Sequence, residues 1–166
     1  MTNLVKAANV TRTSFYNHYS DKDDLLSTLL SEKNKELIHA YKEPILKNRP
    51  FIINRFSPPE IQIFNHIFKN ADFYTTILNS DIASIAENQM VESIKKINIE
   101  ELKVNDRMIR SDFIASYLSY AIVGLITEWV RAGYKYEPEF MSEQLLELMR
   151  IAPNKTFHIK LTQNRR

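Results

Sequence analysis

Cysteine is absent from this 166-residue chain, and that absence excludes several kinds of site at once. Disulfide bridges, thiolate zinc sites, iron–sulfur ligation and a cysteine nucleophile all require the residue. Glycine is nearly absent too, since only Gly124 and Gly133 occur where an average composition would supply roughly a dozen. Turn-dense β-sandwiches and glycine-rich phosphate loops are therefore excluded, and the sequence predicts an all-α fold with short connections.

A strong net charge is lacking as well, because 22 basic and 20 acidic side chains leave only +2. The two signs are nevertheless unevenly distributed. Residues 51–149 carry 9 basic and 14 acidic side chains, whereas residues 150–166 carry 5 basic and no acidic ones. An acidic middle repels a polyanion, so we expect any nucleic-acid partner to meet one of the chain's ends.

The chain has no hydrophobic run long enough for a membrane span. Its longest uncharged stretch, residues 113–127, is shorter than the roughly 20 residues that a span needs, and it predicts a buried helix. The first residues, MTNLVKAANV, have neither the basic nor the apolar segment of a signal peptide. We therefore expect a cytoplasmic protein with no membrane partner.

Capping residues and prolines divide the first third of the chain into predicted helices. Thr11 is a good N-cap for a short helix over residues 12–19. Ser20 is expected to cap a longer helix that runs to about residue 42, where Pro44 ends or kinks it.

The second half of the chain contains the longest predicted helix. The polar stretch 98–105 predicts a loop, and a helix from about residue 106 to residue 132 follows it. Gly133 stands where a left-handed residue ends such a helix, and a last helix is expected over residues 139–150.

No catalytic site, metal site or cofactor is predicted. The four histidines are scattered, and none stands four residues from another ligand in a metal-binding pair. No Gly-x-Ser-x-Gly turn exists that could hold a serine nucleophile. We therefore predict that the protein is not an enzyme.

One segment carries a specific chemistry. Two short helices at residues 2–9 and 12–19, joined by a tight turn, describe a helix-turn-helix, and Asn9 tolerates the left-handed conformation that a glycine often supplies there. Phe15 and Tyr19 share one face and can pack inward, which leaves polar side chains outward to reach base edges and phosphates. An ordinary surface helix has the same composition, so the residue types alone leave DNA reading open.

The run from Leu4 to Leu26, LVKAANVTRTSFYNHYSDKDDLL, fits the pattern A-x-V-[ST]-x-x-[ST]-[FL]-Y-x-[HY]-[FY]-x-x-K-x-x-L. It strongly resembles the DNA-binding segment of the tetracycline-repressor (TetR) family, whose members share that pattern. A later run, residues 113–148, is similar to the C-terminal domain common among Firmicutes members of the family.

The resemblance implies an all-helical transcriptional regulator, most often a repressor, that binds a palindromic operator in double-stranded DNA as a homodimer and responds to a small-molecule effector. It implies a DNA-binding domain at residues 1–45, a ligand-sensing and dimerisation domain at 46–152 whose last two helices form the dimer interface, and a basic flexible tail at 153–166. The residues expected at bases or phosphates are Thr11, Arg12, Thr13, Ser14, Tyr16, Asn17, His18 and Lys22.

Aromatic residues of the second domain are candidate walls of an effector pocket, because rings with a few hydroxyls suit a small apolar or amphipathic ligand. The resemblance directs attention to Tyr117 and Tyr120, followed by Phe64 and Phe68. The alternative for each residue taken singly is a place in an ordinary packed core.

The sequence departs from the family pattern at its start, because a first helix that normally precedes the motif is missing. That helix covers apolar residues of the motif, so Leu4, Val5, Phe15 and Leu26 are expected to be exposed here. Either the given chain is shorter than the natural protein, or the protein is a dimeric ligand-binding or protein-interaction co-regulator without autonomous DNA binding. The complete DNA-facing pattern favours the first explanation.

Overall fold

The computed structural model describes residues 2–47, 57–101 and 110–151, and within these ranges it contains helices and no strand. The all-α prediction is confirmed. The elements are α1 (Thr2–Ala7), α2 (Arg12–Tyr16), α3 (Lys22–Lys47), a 3-10 turn (Pro58–Glu60), α4 (Ile63–Lys69), α5 (Ala71–Leu78), α6 (Ala83–Glu101), α7 (Ser111–Arg131) and α8 (Pro138–Ile151).

The chain divides into two compact units, a smaller one up to Lys35 and a larger one from Glu36. The division falls inside α3 and therefore before the domain boundary expected after residue 45. The reason is burial, since Leu37 and Ile45 of α3 belong to the core of the larger unit. The tail predicted at residues 153–166 lies outside the described residues.

The smaller unit is built around the turn between α1 and α2. Asn9 has φ of 53°, so the side chain that tolerates the left-handed region occupies it as predicted. The hydroxyl of Thr11 accepts a hydrogen bond from the backbone N–H of Ser14 at 3.0 Å, which confirms Thr11 as the N-cap of α2. Helix α2 ends at Tyr16, three residues earlier than the sequence predicts.

The cap of α3 is Asp21, not Ser20 as the sequence suggests. The Asp21 carboxylate accepts hydrogen bonds from the backbone N–H groups of Asp23 at 2.9 Å and Asp24 at 2.8 Å. Ser20 instead donates from its backbone N–H and its hydroxyl to the Asp24 carboxylate, both at 2.9 Å. Only Asp21 therefore accepts from the first-turn N–H groups, for which a carboxylate is a stronger acceptor than a hydroxyl.

The prediction that α3 ends near residue 42 is wrong, since the helix continues to Lys47 with Pro44 inside it. A proline removes one helical hydrogen bond, the one to the carbonyl of Ala40. Burial of Pro44 and Ile45 in the larger unit compensates for that loss. Tertiary packing thus overrides the local signal.

The prediction of a loop from residue 98 is also wrong over its first residues, because α6 continues to Glu101. Residues 102–109 lie outside the described part of the chain. Asn98 is fully buried, so a polar residue that suggests a loop lies in the core of a helix pair instead. Helix α7 then begins at Ser111 after an extended Arg110, later than the predicted start.

In the larger unit α6 and α7 pack along each other, α5 packs on both of them, and α8 packs on α4 and the 3-10 turn. The rings of Phe64, Phe68 and Tyr134 lie within 5.0–6.1 Å of Trp129, measured between centroids. Gly133, with φ of 73°, ends α7 in the left-handed conformation as predicted.

Helix α7 is long and apolar enough to cross a membrane by length and composition, and it is the one such helix in the described residues. Half of its most apolar window is buried within the protein. Ile122 and Ile126 are among the most deeply buried side chains. Helix α7 is therefore a core helix, as the sequence predicts.

Candidate functional site

The eight residues expected at DNA are all exposed in the smaller unit. They occupy the cap of α2, the helix itself, the turn that follows it and the first position of α3. Tyr16 is 55% accessible, a high exposure for a large aromatic residue. The structure thus presents polar and aromatic donors along one short segment: Thr11, Arg12, Thr13, Ser14, Tyr16, Asn17, His18 and Lys22.

The opposite side of α2 faces inward. Phe15 is buried, and its ring lies 5.6 Å from that of Tyr19 and 5.4 Å from that of Tyr16, centroid to centroid. Val5 on α1 is buried as well. The expectation that Val5 and Phe15 are left exposed is therefore wrong, because α1 and α2 pack against each other. Leu4 remains exposed, as expected.

Two of the carboxylates at the start of α3, those of Asp21 and Asp24, accept hydrogen bonds from neighbouring residues. The pKa of the Asp24 carboxyl is lowered by its hydrogen bonds from the Ser20 backbone and hydroxyl. The Asp21 carboxylate is occupied by backbone N–H groups. Both carboxylates therefore form hydrogen bonds within the same segment of the chain. Lys22, at the first position of α3, is exposed.

The four residues expected in an effector pocket do not come together. Phe64 is fully buried and Phe68 lies partly exposed against Trp129, both in the aromatic cluster of the core. Tyr117 and Tyr120 lie on the outer side of α7, with 67% and 59% of their surfaces accessible. Their role in ligand binding stays a prediction.

An apolar cavity does exist in the larger unit, but different residues line it. Its volume is about 40 Å³, and it is partly open to solvent. It lies between the end of α3, the start of α4, and helices α7 and α8. The lining residues are Ala40, Tyr41, Pro44 and Ile45 of α3, Ile61, Gln62 and Ile63, and Ile122, Leu145 and Met149 of α7 and α8.

Sequence reasoning missed a chain of buried hydrogen bonds beside this cavity. The Tyr41 hydroxyl donates to Oδ1 of Asn98 at 2.7 Å, and Nδ2 of Asn98 donates to the Ser119 hydroxyl at 3.0 Å. The Ser119 hydroxyl donates in turn to the Ala115 carbonyl at 2.6 Å. Burial raises the pKa of Tyr41 far above its ordinary value, so its hydroxyl remains a donor. The chain joins α3, α6 and α7, and its one sequence signal was a polar residue at helical spacing from apolar neighbours.

Helix α7 also has an exposed apolar face, on one of the two helices expected to form the dimer interface. Phe113, Tyr117 and Tyr120 stand four and three residues apart, so they share one side of the helix, and Gly124 continues the same line. All three aromatic side chains have more than half of their surface accessible. Large apolar side chains exposed side by side often mark a site of interaction.

The part of the chain that the structure describes holds no comparable metal site. Within the described ranges, no group of three His, Asp or Glu side chains is arranged to hold a metal ion. His66 contacts the Tyr74 hydroxyl at 2.9 Å through Nε2, and burial raises the pKa of Tyr74. This pair joins α4 to α5 inside the core and has a structural role.

The comparisons with known proteins assign the larger unit. A family model described as the C-terminal region of TetR-type transcriptional regulators matches residues 57–151, more than half of the chain. No curated protein matches the chain. The family is not enzymatic, which confirms the prediction that the protein is not an enzyme. The all-α architecture and the match agree with the family expected from the sequence, and the chain belongs to the TetR-type transcriptional regulators.

Proposed function

We propose that the protein is a DNA-binding transcriptional repressor of the cytoplasm, which binds a palindromic operator as a homodimer and changes its operator affinity when a small effector binds. The proposal rests on one observation: the eight candidate DNA-binding residues between Thr11 and Lys22 are all exposed, in a chain that belongs to a regulator family. These eight residues are called the row below. Each of the eight candidate residues has a side-chain group that can donate to a base edge or a phosphate, and the buried Phe15 packs on the opposite side of α2.

Two roles are distinguished along the row by reach and charge. Arg12 and Asn17 carry side chains that form paired hydrogen bonds with guanine and adenine, respectively, so they are the candidates for reading bases. Tyr16 and Lys22 present a single hydroxyl and an ammonium, which suit phosphate oxygens. Lys22 also stands at the first position of α3, where the positive end of the helix dipole adds to its own charge in attracting an anion.

Salt-dependent binding tests these roles. We expect fluorescence anisotropy on an operator selected from randomised duplexes to show tight, sequence-selective binding that weakens steeply with salt. Lys22→Ala should weaken binding to every sequence and lower the salt slope by about two, one phosphate contact for each subunit of the dimer, whereas Arg12→Ala should also relax base preference. Lys35→Ala is the matched control, because it removes the same charge about 20 Å further along α3.

If the wild type binds DNA and neither Arg12→Ala nor Lys22→Ala changes that binding, the proposed contacts are wrong. Absence of DNA binding would favour the other function considered from the sequence, a dimeric co-regulator without autonomous DNA binding. To separate that result from an effect of chain length, the same titration is repeated with any N-terminal extension that the gene encodes.

Dimerisation is proposed through the exposed apolar face of α7 together with α8. Phe140 and Leu148 lie two helical turns apart on α8 and are also exposed. Covering these side chains with the same face of a second subunit removes the aromatic surface from water and gives an isologous contact. A dimer would place the α2 helices of its two subunits in successive major grooves, on the order of 34–36 Å apart.

Analytical ultracentrifugation tests the dimer with a matched pair of variants. Tyr117→Glu places a charge in the proposed interface and is expected to shift the protein to monomer. Ile85→Glu places the same charge on α6, where Ile85 is 60% accessible, and should leave the dimer intact. If Tyr117→Glu remains dimeric, the proposed interface is wrong.

Effector control is proposed as a population shift. A ligand that binds one conformation of the larger unit more tightly changes operator affinity by the ratio of its affinities for the two states. Helix α3 is the covalent route for that shift, because it begins in the smaller unit and ends among the core residues of the larger one.

A further inference from the structure

We propose that the cavity beside Pro44 binds the aliphatic end of a small molecule. Calling this molecule the effector rests on the proposed regulatory function, but the binding itself does not. The cavity lies wholly in the larger unit, and eight of its ten lining residues have apolar side chains. No charged side chain is among them.

The two polar lining side chains already have partners. The Tyr41 hydroxyl donates to Asn98 at 2.7 Å. The Gln62 amide donates to the Pro59 carbonyl, and its oxygen accepts from Asn65 at 3.4 Å. A charged or strongly polar group placed inside would lose its hydration without gaining a partner. The cavity therefore selects methyl and methylene groups.

The volume limits what can enter. About 40 Å³ corresponds to room for about three water molecules. Pockets for whole drug-sized ligands span roughly 300–1,000 Å³. The cavity therefore accepts a short chain end, and because it is partly open to solvent, the remainder of a longer molecule can extend outward.

The position of the cavity gives binding a consequence for α3. This helix supplies Ala40, Tyr41, Pro44 and Ile45 to the lining. Pro44 has no N–H, so the helix lacks the hydrogen bond that the Ala40 carbonyl would accept, and helices bend most readily at such a point. A ligand in the cavity thus contacts α3 where it deforms most easily, next to the hydrogen bond from Tyr41 to Asn98.

Methyl NMR with straight-chain alcohols tests this site directly. The full-length protein is labelled at isoleucine δ1 methyl groups and titrated separately with 1-propanol, 1-butanol, 1-hexanol and 1-octanol. We expect chemical-shift changes at the cavity isoleucines Ile45, Ile61 and Ile63, and none at Ile85 and Ile99, which are exposed on α6. Each added methylene should tighten Kd about four-fold until the cavity is filled, after which Kd levels off.

A variant whose side chain fills the cavity is compared with a control that adds the same atoms elsewhere. Ala40→Leu extends a side chain into the lining and should weaken 1-hexanol binding at least ten-fold, whereas Ala83→Leu adds the same atoms at the start of α6 and should leave Kd unchanged. If Ala40→Leu fails to fold, intermolecular NOEs between wild-type methyl groups and 1-hexanol decide the site. Shifts shared equally by Ile85 and Ile99, or NOEs absent from the cavity isoleucines, would overturn the inference.

Operator binding without alcohol is measured on the same samples, so the two proposals can fail separately. Localised methyl shifts in a protein that does not bind DNA would support the cavity and contradict the repressor. Selective DNA binding together with unlocalised shifts would contradict the cavity and leave the repressor standing.

Discussion

Replacing Asn98 with alanine tests whether the buried hydrogen bonds between α3, α6 and α7 stabilise the larger unit. Asn98 has no accessible surface, and it links Tyr41 on one side to Ser119 on the other. In Asn98→Ala the Tyr41 hydroxyl loses its acceptor, while Ser119 still donates to the Ala115 carbonyl. The variant therefore strands one buried donor and removes a second hydrogen bond.

The expected loss in unfolding free energy follows from these two terms. A buried donor left without a partner costs about 1–3 kcal/mol, and the lost hydrogen bond to Ser119 adds about 1 kcal/mol. Asn98→Ala should therefore lower the unfolding free energy by about 2–4 kcal/mol, a large share of the roughly 5–15 kcal/mol typical of a domain. Tyr41→Phe alone leaves an acceptor unpaired, so the two changes should be coupled by about 1 kcal/mol or more.

Urea unfolding followed by circular dichroism and by Trp129 fluorescence measures these values, at one protein concentration because dimerisation contributes to stability. Asn88→Ala is the matched control, since Asn88 is exposed on the same helix and its replacement should change stability by less than about 0.5 kcal/mol. A cost below about 1 kcal/mol for Asn98→Ala, or additive effects with Tyr41→Phe, would refute the reasoning.

Three further predictions concern single residues of the larger unit. The Thr127 hydroxyl is buried with no hydrogen-bond partner among the described residues, so Thr127→Val should raise the urea midpoint by the equivalent of about 1 kcal/mol; a lower midpoint would contradict this. Gly133 has φ of 73°, so Gly133→Ala should lower the unfolding free energy by about 1 kcal/mol. Gly124 lies inside α7, so Gly124→Ala should raise the unfolding free energy of dilute protein by about 0.5–1 kcal/mol. Equal effects of the two changes would exclude an explanation from backbone conformation. Burial raises the pKa of Tyr41 above its ordinary 10.0, so the hydroxyl loses its proton at a lower pH in the unfolded chain than in the folded one. The unfolding free energy should therefore fall as pH rises from 9 to 11, and it should fall less steeply in Tyr41→Phe. The same dependence on pH in both proteins would contradict a role for Tyr41.

The smaller unit shows how much of a site local sequence can specify. Thr11 caps α2 and Asn9 turns the chain, because an N-cap hydroxyl and a left-handed asparagine act on residues within three positions of themselves. The alternation of Phe15 with polar neighbours placed the eight candidate DNA-binding residues on the exposed side. What the local pattern misjudged was length, since α2 stops at Tyr16.

The larger unit shows where local signals fail. Pro44 predicted a helix end and Asn98 a loop, yet both residues lie inside helices, because burial against other elements outweighs a missing hydrogen bond or a weak propensity. The aromatic residues behaved likewise. Composition could not tell that Phe64 of α4 is buried against Trp129 while Tyr117 of α7 faces outward, since each depends on which side of its helix meets a neighbouring helix.

The sequence by itself therefore determined the helical class, the family and the row of exposed donors, all of which depend on composition, short-range capping and a contiguous motif. Only the tertiary structure decided the cavity beside Pro44 and the hydrogen bonds from Tyr41 through Asn98 to Ser119. Their members come from helices far apart in the chain, and no local pattern records which side chains will meet when such helices pack.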